Sequence, residues 1–383
     1  MTGLAGRPGA LARIWWRPDP GWPVRSLLAP LAVAEGLFRA GVALRGALYD
    51  RGLVPTARAA APVISVGNLS VGGAGKTPVV LAVAERLLGA GRRPAVLSRG
   101  YGASEVRARV VSDGRRLLLG AREGGDEPVL LARRLPALRV LCGPDRAALA
   151  SVAVDRLGAN VLVLDDGFQH RRLRRDLDVV VLDASNPWGN GHCLPRGPNR
   201  EPAAALRRAG LLWLTHVDRG GPGALEDLRS LARAHTGRDP VESRHAPRDI
   251  LDASLEQSFG LASLAGRRVA LLTGVARPES VRRTVEALGA EVALSRDFAD
   301  HHPFTPEEVD EALAAAAQAG AELVVTTEKD AVRLPPDRAR DERLRALRID
   351  AEVVGGAAAL EGALGAALSR FPIGDAAAPG RPT

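Results

Sequence analysis

Lysine is almost missing from this chain. Of 52 basic residues only Lys76 and Lys329 are lysines; all the others are arginine. An ammonium is a compact point charge and a guanidinium a planar fork, so the bias singles out these two positions. Lys76 falls inside a phosphate-loop pattern, which gives its retention a reason; the sequence gives Lys329 none. Cysteine is as scarce. Cys142 and Cys193 lie far apart, which excludes a disulfide framework and a zinc pattern and fits a reducing compartment. Aromatics make up 3%, so the core must be built mainly from Ala, Leu and Val. No apolar run reaches the about 20 residues of a membrane span, and no secretory signal is visible. There is no internal repeat.

What is present reads as globular: 383 residues, 46% hydrophobic and 25% charged, enough for one large domain or two ordinary ones. The net charge of +8 suggests an anionic partner. Apart from Arg171–Arg175 there is no basic run, and aromatics do not alternate with the arginines, so a nucleic-acid partner is not expected.

Residues 1–55 read as an N-terminal amphipathic segment. Val33, Leu37, Ala40, Leu44 and Leu48 share one helical stripe, with Glu35, Arg39 and Arg45 mostly opposite and Trp15, Trp16 and Trp22 upstream. Such a helix suits a bilayer surface or the protein's own core, and the segment alone leaves both open.

From residue 56 short β-rich runs alternate with helices. Val63–Val66, Ala95–Ser98, Arg139–Leu141, Val161–Leu164, Val179–Leu182 and Leu211–Leu214 read as strands of a parallel sheet. A second set, with strands at Val269–Leu272 and Leu323–Val325, suggests a smaller α/β domain. The expected fold is α/β: a P-loop NTPase-type, doubly wound, mostly parallel sheet over 56–235, a smaller second α/β domain over 236–370, and a loose tail at 371–383.

The strand Val63–Gly67 leads into Asn68-Leu-Ser-Val-Gly-Gly-Ala-Gly-Lys-Thr77 and then a helix. A P-loop needs amides aimed at phosphates, glycines that let the chain curl, a lysine for the β/γ-phosphates and a hydroxyl for Mg²⁺. Ser70, Val71, Gly72, Gly73, Ala74, Gly75, Lys76 and Thr77 supply these parts, although the pattern usually opens with glycine where Ser70 stands. The second strand of interest, Val161–Leu164, ends in Asp165-Asp166-Gly167, where carboxylates face the ligand crevice and can hold Mg²⁺.

Together these segments resemble the tetraacyldisaccharide 4′-kinase family. The resemblance is carried by Gly67–Pro78, Ser98-Arg-Gly-Tyr-Gly102, Gly125-Asp-Glu-Pro128, Asp165-Asp-Gly-Phe-Gln-His170, Arg175-Asp-Leu-Asp178, Leu194–Pro202, Asp300-His-His-Pro-Phe304 and Thr327-Glu-Lys-Asp330. They occur in the family's order across roughly residues 60 to 335; Asn199 departs, standing where a larger apolar residue is expected. The resemblance implies transfer of the γ-phosphate of ATP to the 4′-hydroxyl of a tetraacylated glucosamine disaccharide 1-phosphate, in lipid A biosynthesis. It implies ATP and Mg²⁺ as cofactors and a peripheral enzyme on the cytoplasmic face of a bacterial inner membrane. Such an enzyme touches its lipid precursor and the membrane surface, with no obligate protein partner evident.

By the same resemblance Asp126 is the proton acceptor with His301 as its partner, alongside Lys76. Thr77, Asp165 and Asp166 serve the metal, and Tyr101, Glu127, Gln169, Arg171 and Glu201 the substrate cleft. From the residues alone Asp126 is an acid near a helix start, where capping is the commoner role. The neighbours His301 and His302 cannot be told apart, and without a second ligand pair Asp300-His301-His302 is not expected to bind metal. Two rivals stay open. Thr215-His-Val-Asp218 faintly resembles a guanine-specificity motif but lacks its Asn-Lys, so a soluble GTPase or metallochaperone is one. The other is a nucleotide-switched membrane adaptor that binds without turnover.

Overall fold

In the computed structural model, residues 14–17, 21–22, 26, 28–100 and 108–371 are described. The expectations for Tyr101, for the first thirteen residues and for the tail from 372 onward lie outside them.

Twelve strands form one continuous sheet in the order β10-β9-β11-β12-β8-β7-β6-β1-β5-β2-β4-β3. The strands β1 (Val63–Gly67), β2 (Pro94–Ser98), β4 (Arg139–Cys142), β5 (Val161–Asp165), β6 (Leu177–Asp183) and β7 (Leu211–Thr215) are parallel neighbours; β3 (Arg109–Asp113) closes that edge antiparallel to β4. Their sequences are apolar at nearly every position because both faces are covered, as parallel sheets require. Helix α2 (Lys76–Gly89) packs Val79, Val80 and Val83 on one face, and α4 (Arg146–Ser151) packs Leu149 and Ala150 on the other. A second parallel block contains β9 (Arg268–Thr273), β10 (Glu291–Asp297), β11 (Leu323–Thr327) and the start of β12 (Leu344–Gly355).

The two blocks meet through a long antiparallel ribbon of β8 (Val241–Asp252) and β12. Register dictates what this achieves. β7 pairs with the first residues of β8, whereas β11 pairs with the first residues of β12, at the ribbon's other end. Each block is parallel to its own ribbon strand, so the carboxyl edges of both blocks point toward each other. Ligand sites of open α/β sheets lie at carboxyl edges, and here two such edges share one cleft.

Pairing runs unbroken through the ribbon, so the second set of strands continues the same sheet. Helix α8 (Ala357–Leu368), expected in the second domain, returns to the first block, where Leu360, Ala363 and Leu364 join the core of Ile64, Val79 and Trp213.

The N-terminal helix α1 (Leu31–Asp50) sits against the first block with its polarity reversed. Glu35, Arg45 and Asp50 pair with the body of the protein, while Arg39 is exposed. Glu35 is buried; one carboxylate oxygen accepts from the Cys193 amide at 3.0 Å, and the other lies 3.2 Å from His192 and 3.6 Å from Arg196. Arg45 donates to the Gln169 carbonyl, while Arg171 donates to the Gly46 carbonyl and to Asp50. The apolar stripe faces outward, with Val33 73%, Leu37 71% and Leu44 63% exposed. Among the described residues no helix is long and apolar enough to cross a membrane.

Candidate active site

The phosphate loop follows β1 directly. Gly75, at φ 75°, ends the loop in a left-handed conformation that favours glycine. A Cβ there would lie 2.8 Å from His245 Nε2, so loop and ribbon are in close contact. Helix α2 then begins at Lys76 with no side-chain cap and no acid in its first turn, leaving its amides free for an anion. Ser70 is buried beside Asn68 and bridges to Asn199, so the serine opening the loop is part of its packing. Asn199 also donates from Nδ2 to the carbonyls of Trp188 and His192, so loop carbonyls satisfy its amide nitrogen at this buried position, while Oδ1 has no partner among the described residues. Gly67 has the same kind of constraint as Gly75, since a Cβ would lie 2.7 Å from the Phe168 amide. The two chain segments that build the site therefore touch at backbone distance.

Lys76 Nζ lies 3.2 Å from Asp166 Oδ1 and donates to Asn68 Oδ1 at 3.2 Å. Arg200, unassigned from sequence, donates to the other Asp166 oxygen at 2.8 Å. The adjacent acids are thereby set apart. Burial would raise the Asp166 pKa, but Lys76 and Arg200 hold it below the usual carboxylate value. Asp165 is pushed up to about 7, first by burial and then by the nearby Glu127 carboxylate, with Lys76 and a Ser98 hydroxyl bond opposing. A buried carboxylate short of positive charge, adjoining Asp166 and close to Glu127, which itself accepts from the Thr77 hydroxyl, is a donor set that fits a hard divalent cation. Among the described residues no group of three or more His, Cys, Asp or Glu forms a metal cage.

Across the cleft a carboxylate of the first block meets side chains of the second. Asp126 opens helix α3 (Asp126–Arg134) and is buried; Oδ1 accepts from the Glu127 amide and Oδ2 from His301 Nδ1 at 2.8 Å. The capping role and the histidine contact thus use different oxygens. Burial would raise the Asp126 pKa, but the His301 hydrogen bond and the charges of Lys329 and Arg333 hold it below the usual value. Of the two adjacent histidines it is His301 that faces Asp126. His302 turns away to Glu308 and stacks on Phe298. His301 has φ 63°, a conformation that costs a non-glycine residue roughly 1–3 kcal/mol and persists where surroundings enforce it. Arg333, also missed from sequence, is one such brace: it donates to the His302 and Gly274 carbonyls, pairs with Asp330, and lies 3.6 Å from Asp126.

Glu127 joins the two sides. Its Oε1 accepts from Thr77 Oγ1 at 3.3 Å and lies 3.3 Å from Lys329 Nζ. Gln169 donates to the Asn68 carbonyl and to Glu201, which itself accepts two hydrogen bonds from the Arg208 guanidinium. Arg171 is engaged by α1 and stacks over Tyr49, and its guanidinium makes no bond to the phosphate-loop network.

A strand–loop–helix cradle with a single ammonium, faced by paired acids and by a carboxylate–imidazole couple, defines a P-loop phosphotransferase. The chain belongs to the tetraacyldisaccharide-1-P 4′-kinase family, which it matches over residues 24–369. A tetraacyldisaccharide 4′-kinase of Anaeromyxobacter dehalogenans (strain 2CP-C) is 65% identical, over 92% of this chain and 94% of its own. Another, from Syntrophus aciditrophicus, is 42% identical over 85% and 89%. The crystal structure of an "apo" form LpxK from Aquifex aeolicus in complex with ATP superimposes with a TM-score of 0.73 at 31% identity, covering 88% of this chain and 98% of that one.

Proposed function

We propose that the protein phosphorylates the 4′-hydroxyl of a tetraacylated glucosamine disaccharide 1-phosphate at the expense of ATP, a step of lipid A biosynthesis, with Asp126 accepting the hydroxyl proton. The observation that carries this reading is the 2.8 Å bond between Asp126 and His301 beside the phosphate loop, a carboxylate kept ionised and oriented where an acceptor hydroxyl needs a base. Lys76 and the loop amides 70–77 bind the triphosphate. Thr77, Asp165 and Asp166 would hold Mg²⁺, which neutralises phosphate charge when bound. His301 orients Asp126, and Glu127, Gln169 and Glu201 line the acceptor side. Tyr101 remains assigned there by resemblance alone, and Arg171 acts by fastening α1.

The outward apolar stripe of α1 supports docking on a bilayer surface. A four-chain lipid does not leave the membrane, and Val33, Leu37 and Leu44 offer it an apolar face while Glu35 and Asp50 pair with the protein. The cytoplasmic face of an inner membrane is the side where ATP is available. Transfer of radiolabelled γ-phosphate from ATP to the purified disaccharide phosphate in mixed micelles tests the reading. Label in the lipid is expected. ATP or GTP hydrolysis without lipid labelling would favour the switch or GTPase rivals.

A further inference from the structure

The second lysine also has a place. Lys329 follows β11 in the one-turn helix Glu328–Ala331 and projects from the second block into the cleft. Its Nζ lies 3.3 Å from His301 Nε2, 3.3 Å from Glu127 Oε1 and 3.9 Å from Asp300 Oδ1. Burial lowers the lysine pKa, but the carboxylates of Glu127, Asp300 and Asp126 outweigh it and hold the pKa above the ordinary value, so the side chain is an ammonium. An ammonium has three donors and no acceptor, so the ring nitrogen facing it must present a lone pair. The proton of a neutral imidazole then sits on Nδ1, the nitrogen 2.8 Å from Asp126 Oδ2.

Building on the proposed function, we propose that Lys329 is a positioning residue for phosphoryl transfer: its ammonium occupies His301 Nε2, fixes the imidazole as the Nδ1–H tautomer, and so leaves Asp126 as the group that takes the acceptor proton. The same ammonium grips Glu127 Oε1, the oxygen that also accepts from Thr77, and thus ties the base to the phosphate loop through one carboxylate. Of the other charges, Arg333 beside Asp126 favours this polarity, and Asp300 opposes it from a greater distance than the lysine. Arg333 stands 3.6 Å from Asp126, and Asp300 lies 3.9 Å from both His301 Nε2 and Lys329 Nζ. Proton transfer is balanced within the couple: the O–H bond of the sugar hydroxyl breaks, an O–H bond forms on Asp126, and the imidazole keeps its own proton.

Composition supports the assignment independently. The chain uses arginine everywhere except at Lys76 and Lys329. A planar guanidinium is longer and holds its donors in a fixed fork, so it does not reproduce a compact charge placed between a ring nitrogen and a carboxylate. Both lysines therefore mark one site, with Lys76 on the phosphate side and Lys329 on the base side.

The test uses the full chain. Long-range ¹⁵N–¹H correlation spectra, with His301→Gln to identify the signal, report the His301 tautomer without any turnover. Nδ1–H is expected in the parent protein and its loss in Lys329→Met. In steady-state transfer from ATP to the disaccharide phosphate, Lys329→Met is expected to lower kcat by roughly 10- to 100-fold with KM for ATP little changed. Lys329→Arg should stay impaired, whereas Lys329→Cys alkylated with 2-bromoethylamine should recover, since Cys142 and Cys193 are buried. An Nε2–H tautomer in the parent protein, an unaltered tautomer in Lys329→Met, or parental kcat in that variant would overturn the proposal. Should Lys329→Met not fold, the untreated and alkylated Lys329→Cys protein give the same comparison. A parent protein that labels no lipid defeats the functional reading alone, because the tautomer measurement stands apart from it.

Discussion

Asp126 and His301 are 175 residues apart in the chain and 2.8 Å apart in space. Their meeting is a product of the β8–β12 ribbon, which turns the carboxyl edges of two parallel blocks toward one cleft. Asp126 is held on the first block, at the start of α3; His301 belongs to the second, after β10. Neither block alone contains the couple. A substitution that loosens the ribbon should therefore lower turnover while leaving nucleotide binding, which uses residues 70–77 of the first block, nearly intact.

Gly75→Ala tests the contact between loop and ribbon. The added methyl meets His245 Nε2, and alanine at φ 75° is strained by roughly 1–2 kcal/mol. The expected outcome is a lowered melting temperature together with weaker ATP binding by calorimetry. Unchanged values of both would show that His245 does not abut the loop.

His245 also gives a pH dependence. Burial first, then the neighbouring His216 and Arg219, push its pKa down to about 3. The unfolded imidazole binds a proton near pH 6.5, so between about pH 6.5 and 3 the unfolded state holds more protons. Stability therefore falls as pH is lowered through this window, by up to about 1.4 kcal/mol per pH unit from this one group. His245→Gln should flatten the decline in thermal stability between pH 6 and pH 4; an identical slope would remove the assignment.

The outward face of α1 makes a third prediction. Replacing Val33, Leu37 and Leu44 by aspartate puts three charges on an exposed face and should abolish flotation with liposomes. The melting temperature should barely move, because these side chains are already in solvent. Unimpaired flotation would contradict membrane docking through this helix.

Much of the first block was legible because its strands are short apolar runs buried on both faces, as in Val161–Asp165, and because the loop carries its chemistry in contiguous residues. The ribbon was not. β8 and β12 set Arg244 and Asp249 opposite Glu352 and Arg348, with Arg248 and Asp350 also on the ribbon, so no apolar period marks them as strands; cross-strand pairs such as Arg244–Glu352 at 2.7 Å do that work instead. β10 is an edge strand with half-exposed residues and gave no signal either. α1 showed its stripe, but whether the stripe faces in or out depends on where Glu35 finds partners, and Cys193, His192 and Arg196 lie far along the chain. The choice between His301 and His302 likewise rests on a backbone angle that composition does not encode.

The central claim is that Asp126 takes the acceptor proton. Asp126→Asn keeps the shape of the site and should bind ATP and Mg²⁺ with near-parental affinity while kcat for lipid phosphorylation falls by roughly 10²- to 10⁴-fold. Turnover close to that of the parent protein, at saturating ATP and lipid, would contradict the account.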